Sequence, residues 1–102
     1  MIVLIDDDKL IHMSWSLKAI KAGKSLATYY SVEEFLESNT APSENLIIYI
    51  DSSLSKVSRG EIEAKKLSLL GYNNIYLSTG YLDLKQENFP WLKGIISKTP
   101  PF

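Results

Sequence analysis

Two short apolar runs, each ended by aspartate, constrain the fold of this chain more than any other feature. Residues 1–5 read Met-Ile-Val-Leu-Ile and are followed by three aspartates that begin at Asp6. Residues 46–50 read Leu-Ile-Ile-Tyr-Ile and are followed by Asp51. An uninterrupted apolar run of this length is typical of a strand buried on both faces, as in a parallel sheet between two layers of helices. The chain is therefore predicted to be an α/β protein.

The segment after the first run has a helical pattern. Its large apolar residues recur near a 3.6-residue period: Leu10, Met13, Leu17 and Ile20. This period predicts a helix over residues 9–22. Gly23 is placed to end it, since glycine adopts the left-handed conformation that closes many helices.

A second helix is predicted from a capping box that begins at Ser31. The Ser31 hydroxyl can accept a hydrogen bond from the Glu34 amide, and the Glu34 side chain can reach back toward the start of the helix. Val32, Phe35 and Leu36 are expected to form its buried stripe, and the helix ends before Pro42.

The remaining elements complete an alternating pattern. Strands are predicted over about residues 25–30, 74–77 and 93–97, a helix over about residues 61–70 closed by Gly71, and at most one or two helical turns within residues 81–91. Strands that alternate with helices favour a doubly wound, flavodoxin-like parallel sheet of five strands in the order 2-1-3-4-5. The fourth helix is expected to be short and the fifth absent, with residues 1–102 forming one domain.

Composition excludes several classes of protein. The 102 residues carry 11 basic and 12 acidic side chains, a formal charge of −1, which gives no support to nucleic-acid binding through bulk positive charge. The absence of cysteine excludes a disulfide scaffold, a thiolate zinc site and a cysteine nucleophile. No apolar run approaches the ~20 residues that span a bilayer, so we expect a cytoplasmic protein without membrane contact.

Polar side chains follow four of the predicted strands. They are Asp6 and Asp7, Asp51, Ser78 and Thr79, and Lys98. Because ligands of open parallel sheets bind outside the carboxyl ends of the strands, these side chains are expected to converge on one patch. Carboxylates are ligands that Mg²⁺ prefers, and a carboxylate can also accept a phosphoryl group whose oxygens an ammonium and a hydroxyl stabilise. The set predicts a metal-dependent phosphoryl site.

The order and spacing of these residues resemble the receiver domain of two-component response regulators. Asp6-Asp7 resembles the acidic pair, Asp51 follows the third strand, Ser78-Thr79-Gly80 resembles the switch position, and Lys98 with Thr-Pro-Pro-Phe resembles the end of the fifth strand. The similarity covers essentially the whole chain. The stretches Leu-Ile-Ile-Tyr-Ile-Asp-Ser-Ser-Leu and Trp-Leu-Lys-Gly-Ile-Ile-Ser-Lys further resemble receivers at the C-termini of hybrid sensor histidine kinases.

The resemblance implies a role for each of these residues in signal transduction by a phosphorelay. Asp51 would be the phosphoacceptor, and Asp6 and Asp7 would hold Mg²⁺ together with Asp51 and the backbone carbonyl of Ser53. Thr79 would contact the phosphoryl oxygen and Lys98 would pair with it. The implied partner is a histidine kinase or a phosphotransfer domain, and any enzymatic activity would be at most autophosphatase activity.

The sequence also departs from the receiver pattern. Thr99, not proline, follows Lys98, and Ile95 stands where receivers carry a switch aromatic. The loop between Asp51 and Gly60 is about one residue longer than usual and lacks its proline. Ile95, Thr99 and the missing fifth helix favour the alternative of a pseudo-receiver that acts only as a protein–protein interaction module. The intact set of polar residues at the strand ends argues against it.

Structural roles for the same residues remain open from sequence. Aspartates at the start of a helix favour its N-cap, Asp51 could simply end its strand, and Thr79 could begin a turn. Lys98 could be an ordinary solvated lysine. A phosphatase-type hydrolase is also conceivable, but such enzymes usually carry a second aspartate where this chain has Ser53.

Three further residues outside the strand-end set have simple expectations. His12, in the first predicted helix, is predicted to be a surface or packing residue. Trp15, in the same helix, is predicted to be a packing or interface residue rather than a platform for a ligand. Tyr81 is predicted to lie over the acceptor and to hinder attacking water.

A missing fifth helix would leave one face of the sheet bare. Because the first and fifth helices of this fold cover the same face, apolar parts of the first, third and fifth strands would be exposed. We expect a second copy in a homodimer, a preceding segment of a longer chain, or the tail from Pro100 to Phe102 to cover that face.

Overall fold

The computed structural model describes residues 1–52, 59–80 and 84–102. The strands are β1 (Ile2–Ile5), β2 (Leu26–Tyr29), β3 (Ile47–Asp51), β4 (Ile75–Ser78) and β5 (Gly94–Ile96). The α-helices are α1 (Lys9–Ala22), α2 (Val32–Glu37) and α3 (Gly60–Leu69), and a single 3₁₀ turn spans Gln86–Asn88. None of the helices in these ranges combines the length and apolar character needed to cross a membrane.

The five strands form one all-parallel sheet in the order β2-β1-β3-β4-β5, which confirms the predicted topology. In its register Ile5 lies beside Ile50, and Asp51 lies beside Ser78. The polar residues that end β1, β3 and β4 therefore reach the same edge of the sheet. The described part of the chain contains three α-helices and one 3₁₀ turn, in agreement with a shortened fourth helix and no fifth.

Helix α1 begins and ends where the sequence predicts. The Asp8 side chain caps it by accepting a hydrogen bond from the Leu10 amide at 2.9 Å. Gly23 follows in the left-handed conformation, with φ of 67°. Both ends follow from side-chain and backbone preferences that are visible in the sequence.

The capping box of α2 forms with one change. The Ser31 hydroxyl accepts from the Glu34 amide at 3.1 Å, while the Glu34 carboxylate accepts from the Tyr30 amide, not from Ser31. Val32 and Phe35 are buried as predicted, but Leu36 is exposed, so its predicted burial is wrong. A helix of six residues turns only one narrow stripe toward the sheet, and Leu36 lies about 100° around the helix from Phe35.

One face of the sheet packs against α2 and α3. Its core is largely aliphatic and consists of side chains exposed by 8% or less: Val3, Ile5, Val32, Phe35, Leu46, Ile48, Ile50, Ala64, Leu67, Tyr72, Ile75, Leu77 and Leu92. Alternate residues of each strand point to this side, as the pleat of a strand requires.

The other face is covered by α1 and by aromatic side chains. Trp15 is fully buried there, and its ring lies 5.2 Å from that of Tyr49 and 5.8 Å from that of Phe102. Tyr49 in turn stacks on Tyr76. Of the three covers predicted for this face, the structure shows the tail, because Phe102 packs edge-on against Trp15.

The apolar residues whose period predicted α1 lie on its outer face. Leu10, Met13, Leu17 and Ile20 are all exposed. His12, Trp15 and Ala19 are the buried residues of α1. The period located the helix correctly, but the residues that form it lie on the side that faces solvent.

Candidate functional site

Three carboxylates meet at the carboxyl ends of the strands. Asp6, Asp7 and Asp51 each offer one oxygen, and these oxygens lie within 4.8 Å of one another. Asp6 and Asp51 are buried and Asp7 is exposed. Clustered carboxylate oxygens are a donor set that suits Mg²⁺, which needs only a few carboxylates and keeps part of its water shell. The exposed Asp7 leaves such an ion a route from solvent.

Lys98 joins the two buried carboxylates. Its ammonium donates to Asp6 Oδ2 at 3.0 Å and also to Asp51 Oδ1. The backbone of Lys98 is held from α1, because the Trp15 indole N–H donates to the Lys98 carbonyl at 3.1 Å. The lysine that follows β5 is therefore fixed at the acidic cluster and is not an ordinary solvated side chain.

Burial and neighbouring charges both shift the pKa values of Asp6 and Lys98. Burial raises the pKa of Asp6, and the nearby charge of Asp51 adds to this, although the Asp8 amide and Lys98 oppose it. Burial alone would lower the pKa of Lys98, but its hydrogen bonds to Asp51 and Asp6 and the charges of these carboxylates raise the pKa overall. Lys98 stays protonated at neutral pH and supplies a positive charge beside Asp51.

Asp6 is positioned by two contacts from the start of α1. Its Oδ1 accepts from the Asp8 amide at 2.9 Å, and its backbone carbonyl accepts from His12 Nε2 at 2.6 Å. The His12 ring is buried and stacks on Tyr30 at a centroid distance of 4.2 Å. His12 is thus a packing residue, as expected, and it also holds the backbone at the end of β1.

A buried pair of hydroxyls lies next to Asp51 at the ends of β3 and β4. Ser52 Oγ donates to Thr79 Oγ1 at 2.8 Å, and both residues are buried. The Ser52 amide donates to Ser78 and the Thr79 amide to Ile96, so adjacent strands hold both. Ser52 was not singled out from the sequence. The available signal was that hydroxyl residues follow two strands that are neighbours in the predicted order.

Gly60 brings the start of α3 against the end of β3. Its amide donates to the Ser52 carbonyl at 3.1 Å, and a Cβ at position 60 would lie 1.8 Å from the backbone oxygen of Asp51. Glycine is therefore required here by close approach, which the sequence did not reveal because many glycines simply precede helices.

The described residues bring together most of the predicted site. Asp6, Asp7, Asp51 and Lys98 line one cleft with Asp8, Ile11, Ser52 and Gly80. Ser53 and Tyr81 lie outside the described residues, so their predicted roles stay predictions. Ile95 packs on the core under α2 and α3 and is only partly buried.

Comparisons with known proteins identify the fold. No protein-family model matches the sequence, and no curated protein does. Among solved structures, an adenylate cyclase from Rhodopirellula baltica is similar with a TM-score of 0.77 and 20% identity over 99% of this chain and 77% of that chain. FixJ-N is similar with a TM-score of 0.74 and 20% identity over 99% of this chain and 81% of that one.

A third solved structure is also similar in fold. A CheY-like response regulator receiver domain protein from Methanospirillum hungatei JF-1 is similar with a TM-score of 0.65 and 15% identity, covering 99% of this chain and 82% of that chain. These likenesses agree with the sheet order and show the fold alone. The chain has the fold of CheY-like receiver domains.

Proposed function

We propose that this chain is a phosphorelay receiver that accepts a phosphoryl group on Asp51 in a Mg²⁺-dependent reaction. The observation that carries the proposal is the cluster of Asp6, Asp7 and Asp51 at the carboxyl ends of β1 and β3, with the Lys98 ammonium bound to Asp51. Asp6 and Asp51 are buried close together, and buried charged groups whose burial is only partly offset by a partner such as Lys98 are found disproportionately at functional sites.

The chemistry follows from the groups at this edge. An oxygen of Asp51 would attack the phosphorus of a phosphohistidine, forming an O–P bond while the N–P bond breaks and the imidazole leaves with the electron pair. Lys98 would then pair with a phosphoryl oxygen, and the Thr79 hydroxyl would donate to another. Asp6, Asp7 and Asp51, with the carbonyl of Ser53, would hold Mg²⁺, which neutralises charge on the phosphoryl oxygens.

The corresponding partner is a histidine kinase or a phosphotransfer domain. It must present a phosphohistidine to the cleft that Asp7 leaves open to solvent. We also propose a cytoplasmic location, where such partners carry their phosphoryl groups, and no contact with nucleic acid.

The experiment is incubation with Mg²⁺ and acetyl phosphate, followed by intact mass. Wild type is expected to gain the mass of one phosphoryl group, and Asp51→Asn is expected to gain none. Asp8→Asn is the matched control, because Asp8 is a neighbouring carboxylate that caps α1 and is not in the acidic cluster. It should form the adduct like wild type.

Two outcomes would overturn the proposal. A wild type that neither binds Mg²⁺ nor forms an adduct would be a pseudo-receiver, the reading that Ile95 and Thr99 favour. Steady consumption of acetyl phosphate without a lasting adduct would instead indicate a hydrolase.

A further inference from the structure

The outer face of α1 carries an apolar stripe that nothing in the described chain covers. Leu10 is 71% exposed, Met13 52%, Leu17 60% and Ile20 76%. Monomeric soluble proteins rarely leave contiguous apolar patches of more than a few hundred Å² in water, and patches of that size mark interaction surfaces. We call these four residues the α1 stripe.

The spacing of the α1 stripe is that of a helix–helix seam. Its members are separated by three, four and three residues, which is the a/d spacing of a heptad repeat. At about 100° per residue the stripe lies nearly opposite His12, Trp15 and Ala19, which pack on the sheet. The helix therefore has one seam for its own sheet and a second that fits another helix.

We propose that the occupant is the α1 helix of a second copy of this chain, packed antiparallel about a twofold axis. In that arrangement Leu10 of each copy lies level with Ile20 of the other, and Met13 lies level with Leu17. The stripe is thus complementary to itself, as an isologous interface requires. The proposal does not depend on phosphoryl transfer at Asp51.

The charges around the α1 stripe favour the antiparallel arrangement. The exposed residues Asp7 and Asp8 precede the helix, whereas Lys21 and Lys24 lie at its other end. Residues 9–32 hold four lysines and no acidic residue. The acidic side chains near the stripe are therefore only those that precede the helix. Antiparallel packing places Asp7 and Asp8 of one copy between the levels of Lys21 and Lys24 of the other. Antiparallel packing also brings Lys9 of one copy level with Lys21 of the other, but parallel packing would set all four lysines, and both aspartates, against their own equivalents.

The small area available favours a weak dimer. The α1 stripe and its flanks offer on the order of 500 Å² per copy, which is at the low end of the areas seen in specific interfaces. We therefore expect a reversible dimer with a dissociation constant of roughly 10–100 μM. Such a dimer would be monomeric in dilute solution and largely dimeric at higher concentration.

Sedimentation velocity over a concentration series, about tenfold below to tenfold above that constant, tests the proposal. Wild type is expected to shift from the monomer mass toward twice that mass. Leu17→Asp is expected to remain monomeric at every concentration. Leu69→Asp is the matched control, since Leu69 is 80% exposed on α3 and lies outside the stripe, and it should dimerise like wild type. Circular dichroism checks that both variants fold.

Two results of this series would overturn the proposal. One is a wild type that stays monomeric throughout, which would leave the stripe to a different partner. The other is dimerisation that Leu17→Asp and Leu69→Asp weaken equally.

Cysteine cross-linking tests the orientation, because the natural sequence contains no cysteine. A mixture of Leu10→Cys and Ile20→Cys, treated with diamide as the oxidant, is expected to give mainly the mixed disulfide dimer. Preferential formation of the Leu10→Cys homodimer would contradict the antiparallel arrangement. Lys21→Glu combined with Lys24→Glu is expected to weaken dimerisation severalfold, and an unchanged dissociation constant would exclude the charge pairing.

Discussion

The two faces of the sheet are built differently, and buried side chains of the α1 face hold the backbone of two site residues. Under α2 and α3 the core is mainly aliphatic. Under α1 four aromatic rings pack among aliphatic side chains. Two buried side chains of α1 reach the site: His12 binds the Asp6 carbonyl, and Trp15 binds the Lys98 carbonyl.

This difference separates stability from positioning. Truncating an aliphatic residue under α2 or α3 should cost stability and leave the acidic edge in place. Changing a buried residue of α1 should affect both, because the same side chain packs the face and holds the backbone of a site residue. Gly60 is the exception on the first face, since α3 approaches Asp51 there through the backbone.

The largest effect on the free energy of unfolding is expected at Gly60. Gly60→Ala would set a Cβ 1.8 Å from the Asp51 backbone oxygen, so α3 or β3 must shift. We expect a loss of about 3 kcal/mol or more in the free energy of unfolding, measured by urea denaturation. Gly80→Ala is the control, because a Cβ there meets nothing within 4 Å. Equal losses in the two variants would show that close approach is not the cause.

The second prediction compares one aromatic residue from each face. Trp15→Phe removes buried volume and leaves the Lys98 carbonyl without its donor, so we expect a loss of about 2 kcal/mol. Phe35→Leu, on the other face, should cost about 1–1.5 kcal/mol.

Phosphoryl-adduct formation from acetyl phosphate distinguishes the two variants. It should slow in Trp15→Phe, because Lys98 loses its support, and stay at the wild-type rate in Phe35→Leu. If both variants slow alike, α1 has no special part in positioning the site.

The third prediction concerns pH. Because the folded pKa of Asp6 is raised above its ordinary 3.8, the protonated form is favoured in the fold. Asp6 therefore makes its full contribution to stability below pH 3.8, and this contribution is lost as pH rises through the folded pKa. Asp6→Asn should therefore raise the urea midpoint at pH 7 without added cation, and the gain should shrink at pH ~3.5. A gain of the same size at both pH values would contradict burial of the charge as the cause.

The smallest effect is expected from Ser52→Ala. The change removes the hydrogen bond from Ser52 to Thr79, and a loss of about 1 kcal/mol in unfolding free energy is expected. Ser78→Ala removes a longer bond, 3.3 Å to the Ser97 carbonyl, and should cost less. The reverse order would show that the hydroxyl pair contributes little to this edge of the sheet.

The strands and the acidic edge were predictable because their signals are local. Uninterrupted apolar runs identified β1 and β3, and the polar residues that end the strands identified the edge where Asp6, Asp51 and Lys98 meet. A parallel sheet brings the carboxyl ends of its strands to one edge, independently of the conformation of the loops.

The sequence could not predict features that depend on which face of a helix or strand packs against its neighbour. The period of Leu10, Met13, Leu17 and Ile20 fits a buried face as well as an exposed one, and only the aromatic layer around Trp15 decides it. The bond between Ser52 and Thr79 and the approach of Gly60 to Asp51 join residues whose separation in space the sequence does not encode locally.

The proposed function depends on Asp6, Asp7 and Asp51 acting as one cation-binding site. The most direct measurement is thermal unfolding of wild type and Asp51→Asn, each with and without millimolar Mg²⁺, because a ligand that binds only the folded chain raises its melting temperature. We expect a clear rise with Mg²⁺ in wild type and little or none in Asp51→Asn. No rise in wild type, or an equal rise in both, would contradict it.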